Sequence, residues 1–121
     1  MAIKTYQELF AWQKAMDLAE STYTITRDFP TEERFGLTSQ LRRAAVSVPS
    51  NIAEGHERSS PSDYVRYLHI AKGSLAEAET QIVLATRLKL LTGKAADSWL
   101  TTASDVGRLL NGLIASLKGR R

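Results

Sequence analysis

A chain of 121 residues, 43% apolar and 24% charged, suits one soluble domain with a sizeable core. It has no cysteine, which excludes disulfides and thiolate chemistry, and its two histidines, His56 and His69, lack metal-ligand spacing. The net charge of +3 is unevenly placed: nine basic and eleven acidic residues precede Thr86, whereas seven basic and two acidic residues follow it.

A basic end can attract nucleic acid or an acidic partner. It can equally be a solvated surface, with Lys and Arg favoured at a helix C-terminus by the dipole. No apolar run reaches membrane-spanning length, and MAIKTYQELF has no signal-type apolar region, so a cytoplasmic location is expected. Without a repeat, a low-complexity segment or a linker, residues 1–121 read as a single domain.

The spacing predicts a first helix from about Thr5 to Arg27. Leu9, Trp12, Met16, Ala19 and Tyr23 recur at threes and fours, the mark of a buried stripe. A thinner stripe, Ala11, Leu18 and Ile25, lies roughly opposite. Trp12 reads as a core anchor rather than a stacking platform. Phe29-Pro30 ends the element, because a residue before proline disfavours helical torsions.

A second helix is expected to start at Thr31, although Arg34 stands where a capping box calls for Glu or Gln. Gly36 falls early in it, a mild liability of about 1 kcal/mol. From Ser39 to Gly55 the helix has three distinct sides. Leu37, Leu41, Ala44, Ala45, Val48 and Ile52 form the apolar one. Gln40, Arg43, Ser47, Asn51, Glu54 and Arg58 form a polar stripe. Arg42, Val46, Pro49 and Ala53 occupy the remainder. Pro49 predicts a kinked but continuous helix, since the apolar stripe keeps its phase across it; two short helices meeting at Val48-Pro49 are the alternative. The polar stripe reads as a structural network in which Glu54 pairs with Arg58 and Arg43 answers Glu77 or Glu79; a ligand site is the sharper alternative.

Ser60-Pro61-Ser62-Asp63 is a strong helix start, and a third helix is expected to reach Leu91, with Gly93 as its stop. Tyr64, Leu68, Ala71, Leu75, Ala78, Ile82 and Ala85 make a heptad seam. Ile70, Gly73, Leu84, Leu88 and Leu91 lie near the opposite pole. A helix apolar on two faces in a four-helix domain points to self-association, with Val46 and Ala53 as further interface candidates. A fourth helix, from about Lys94 to Leu117, carries Trp99, Ala103, Val106, Leu110, Leu113 and Leu117 inward.

These elements predict an all-α, antiparallel up-down four-helix bundle that forms a homo-oligomer. No phosphate loop, nucleophile elbow or paired-histidine motif is present, so no enzyme and no cofactor or metal is expected.

Three stretches, FAWQKAMDLAESTYTITRDFP (Phe10 to Pro30), QLRRAAVSVPSNIAEGHER (Gln40 to Arg58) and YLHIAKGSLAEAET (Tyr67 to Thr80), carry a family resemblance. The chain resembles the bacterial four-helix-bundle proteins encoded within intervening sequences of 23S ribosomal RNA genes. These are similar in fold to accessory variability proteins of diversity-generating retroelements, which form pentameric barrels and bind reverse transcriptase and nucleic acid. The resemblance implies a homopentamer of up-down four-helix bundles and does not imply an enzyme. The expected partners are thus further copies of the chain and RNA or DNA, with another protein as the alternative and no membrane. Candidate phosphate contacts are Arg42, Arg43, Lys72, Arg87, Lys89, Arg120 and Arg121. The structural network is assigned to Gln40, Asn51, Glu54, Arg58 and Glu77, and the interface to Val46, Ala53, Ile70, Leu84, Leu88 and Leu91.

Overall fold

A computed structural model describes residues 5–119. Among them are four α-helices and no strand: α1 (Phe10–Thr26), α2 (Leu37–His56), α3 (Pro61–Arg87) and α4 (Gly93–Lys118). Short 3-10 turns, Tyr6–Glu8 and Thr31–Glu33, precede α1 and α2. Each helix packs on its neighbours in sequence, α4 also closes on α1, and the tightest pairing is α2 with α3.

Residue pairs fix the directions. Trp99, early in α4, meets Thr22, late in α1. Arg42, early in α2, reaches Thr26 at the end of α1. Gly55 near the end of α2 lies against Tyr64 and Tyr67 near the start of α3. Sequence neighbours are therefore antiparallel. The connections 27–36 and 88–92 sit at one end and 57–60 at the other.

One apolar cluster draws on all four helices. The expected stripe of α2 is buried throughout, and so is the α3 seam from Leu68 to Ala85. The helix starts at Ser60 and Thr92 follow from their hydroxyls, which accept from the amides of Asp63 and Ala95.

The first helix departs from expectation. Thr5 and Glu8 form a capping box around a single 3-10 turn, and Leu9 is extended, so α1 begins only at Phe10. Its core face centres on Ala11, Ala15, Leu18 and Thr22, largely the stripe expected to be minor; of the stripe expected to be major, Leu9 and Ala19 are buried too, whereas Trp12 and Met16 are only partly covered and Tyr23 is exposed. Two alanines let α1 approach its neighbours closely, which larger side chains would prevent. Trp12 is thus not a central anchor; it packs at the core's edge, its ring edge-on to Tyr6 with centroids 5.4 Å apart.

The second helix begins at Leu37, not Thr31. Gly36 is its N-cap, outside the helix, so it does not weaken the interior. The α2 backbone continues through a buried Pro49 as one helix rather than two. α3 stops at Arg87, earlier than expected, because Lys89 takes a left-handed φ of 63°. Lys89 N–H then donates to Thr86 and Leu90 N–H to Ala85, satisfying two terminal carbonyls. Gly93, the expected stop, is instead the first residue of α4.

Candidate nucleic-acid interface

The polar stripe of α2 does not build the expected arginine–carboxylate bridge to α3. The interhelical link is made of hydroxyls: Ser47 Oγ and Ser74 Oγ are 2.8 Å apart, and Asn51 Nδ2 donates to Ser47 Oγ and its carbonyl. Glu54 pairs with Arg58 at 3.5 Å, as the spacing predicted, and Arg58 also donates to the Tyr67 hydroxyl. Glu77 accepts from Gln81 within α3 at 3.5 Å. Gln40, Arg43 and Glu77 share a polar groove of about 340 Å³, yet Arg43 forms no ion pair with any of the described residues.

On the other flank of Arg43 lies a second groove, of about 440 Å³, where the end of α1 meets the start of α2. It is lined by Arg34, Arg42 and Arg43 together with Tyr23, Phe35 and Val46. Its construction starts with Thr22 and Thr26, whose hydroxyls bond back to the carbonyls four residues earlier and so stay at fixed positions on α1. Thr26 Oγ1 accepts from Arg42 Nε at 2.8 Å, laying that guanidinium 4.5 Å from the centre of the Tyr23 ring. Arg34 and Phe35 come from the link before α2; Arg34 Cζ is 5.4 Å from the Phe35 ring, and Phe35 is 88% exposed.

The charge in this groove is uncompensated. Arg58, Arg66 and Arg108 each hold a carboxylate, but among the described residues Arg34, Arg42 and Arg43 hold none. The nearby Glu33 carboxylate is turned into the helix start, where it accepts from the Leu37 amide at 3.1 Å. Three guanidinium charges without carboxylate partners, beside two exposed aromatic rings, make the arrangement that phosphates and bases match.

The other candidates spread apart. Lys72 is about 160° around α3 from Ser74, which faces α2, so it lies on the far side of that helix. Exposed Arg87 and Lys89 close α3 at the same end of the bundle as Arg34 and Phe35. Arg120 and Arg121 lie outside the described residues. Arg34, Phe35 and Tyr23 were missed in the sequence as site residues. Arg34's misfit in the capping box was the one local signal.

Apolar surface remains uncovered in several places. Ile70, Leu84 and Leu88 are 42%, 45% and 54% exposed along α3, with Val83 beside them; Leu91 instead packs partly on the core. A groove of about 330 Å³ runs between Trp12 and Met16 of α1 and Val46, Pro49 and Ala53 of α2. Among the described residues no cluster of His, Asp or Glu could hold a metal, and no helix is long and apolar enough to cross a membrane.

Among the described residues these features define an all-α protein of four helices. The chain belongs to the 23S rRNA-intervening sequence protein family, whose model matches residues 7–112. A crystal structure of a protein of unknown function from the S23 ribosomal protein family of Bacteroides thetaiotaomicron superposes with a TM-score of 0.77. It is 22% identical, and the match covers 86% of this chain and 97% of that one, which establishes the shared fold. No curated protein matches the chain.

Proposed function

We propose that the protein is a non-enzymatic, cytoplasmic, oligomeric binding protein that associates with RNA or DNA through the basic groove at the start of α2. The observation that carries this reading is the convergence of Arg34, Arg42 and Arg43, without carboxylate partners among the described residues, on one groove. Arg42 is already anchored by Thr26 and Tyr23, so Arg34 and Arg43 are the freer phosphate contacts, with Arg87 and Lys89 adding field from the same end.

The uncovered leucines and isoleucine of α3, and Val46 and Ala53 on α2, support self-association; five subunits rest on the family resemblance. A closed ring would repeat the groove once per subunit and multiply its field. In the same reading Pro49 bends α2, since it cannot donate to the Ala45 carbonyl.

Binding of a ribosomal RNA fragment across a salt series tests the proposal. Affinity falls steeply as salt rises, and Arg34→Gln with Arg43→Gln flattens the slope. Salt-independent affinity contradicts it. The second reading is a protein-interaction scaffold, favoured by the apolar groove around Trp12 and Val46. Capture of one defined protein after nuclease treatment, with no nucleic acid bound, selects it.

A further inference from the structure

We infer that the groove takes unpaired nucleotides, with Phe35 as the platform on which a base stacks; this rests on the nucleic-acid reading above. A duplex presents phosphates and base edges, while its base faces are hidden in the stack. Arginines alone would suit such a surface. Phe35 adds a flat apolar face that a wall of phosphates cannot use, and it projects almost fully into solvent. It is not part of the core cluster. Its one neighbour of note is the Arg34 guanidinium at 5.4 Å, placing a cation beside the platform.

The second ring, Tyr23, is 45% exposed and has one face under Arg42. Arg42 is therefore set between the α1 ring and the groove, with Arg43 on its rim and the hydroxyls of Thr38 and Ser39 on the α2 wall. Two rings, each with a guanidinium close to it, share one groove, and cations interleaved with aromatic faces suit a single strand, where phosphates and splayed bases alternate. The groove is open, which admits a chain passing across it rather than a mononucleotide enclosed within it.

The test uses the full chain and fluorescence anisotropy with labelled single-stranded RNA, single-stranded DNA and an RNA duplex of equal length. Single strands bind about tenfold or more tighter than the duplex. Phe35→Ala lowers single-strand affinity by about tenfold, as loss of one stacked base should, and leaves duplex binding unchanged. Phe35→Trp restores single-strand affinity, and its added fluorescence is quenched by the strand. Comparable melting curves show that the variants fold. Tighter binding of single strands than of duplex supports the inference whichever strand is preferred, and a preference for RNA or for DNA assigns the source. Equal binding of strand and duplex, insensitive to Phe35→Ala, overturns the base-stacking inference while sparing the basic groove. No binding of any nucleic acid at low salt overturns both. Loss of the oligomer on Phe35→Ala makes Phe35 a subunit contact and overturns the inference as well.

Discussion

Trp99 donates its indole N–H to Thr22 Oγ1 at 2.8 Å, a bond buried between α4 and α1 and spanning 77 residues of sequence. The link continues outward: Thr26 donates to the Thr22 carbonyl, and Arg42 donates to Thr26. One hydrogen-bonded line thus joins three helices and ends at the basic groove. Thr22→Val keeps the shape but strands the indole N–H, at a cost of about 1–3 kcal/mol. In a Trp99→Phe background the same change should cost much less, because no buried donor is left unpaired. Urea denaturation of the two single variants and the double variant measures the difference.

Gly55 is set by close approach. A Cβ there would stand 2.8 Å from Tyr67 Cβ and 3.2 Å from the Tyr64 carbonyl oxygen. Neither atom is the end of a flexible side chain, so α2 and α3 must separate. Gly55→Ala is expected to destabilise by about 1–3 kcal/mol despite alanine's better helix propensity. Gly73→Ala, on the open face of α3 with nothing within 4 Å, should stabilise by up to about 1 kcal/mol. Thermal melting of both variants checks the contrast in sign.

The seam of α3 and the apolar stripe of α2 were legible because apolar residues, large aliphatics among them, recur there at helical spacing without a break. The register of α1 was not. Its core face centres on Ala11, Ala15, Leu18 and Thr22, of which only Leu18 carries much weight in an apolar pattern, while the bulkier Trp12 and Met16 face a groove. Which stripe turns inward depends on how closely neighbours approach, and that is a property of the assembled bundle. The link from Ser47 to Ser74 was hidden for the same reason: two small hydroxyls pair only because α2 and α3 run so close. Phe35 escaped notice because it belongs to no helical stripe.

Desolvation in the packed bundle raises the Glu79 carboxyl above its ordinary range. The folded state therefore favours the protonated form. Stability associated with Glu79 is present at low pH and is lost as pH rises through the ordinary carboxylate range toward the raised value. Glu79→Gln should raise the melting temperature at pH 7, and the gain should vanish in acid, where the native side chain is neutral too. Melting curves of both proteins at the two pH values test this.

Lys89 holds a left-handed φ of 63° to end α3, a conformation that disfavours a side chain. Lys89→Gly is expected to stabilise the fold by about 1 kcal/mol. It also removes a cation from the end of the bundle that bears the groove, so nucleic-acid affinity should fall as stability rises. Parallel melting and binding measurements separate the two effects.

The central claim is an assembly of these bundles that concentrates basic grooves on nucleic acid. Native mass measurement at low salt, with and without an unpaired RNA strand, addresses it most directly. The account predicts a multiple of the 13.4 kDa chain that gains the mass of the strand. A lone 13.4 kDa species that stays unchanged when RNA is added would contradict it.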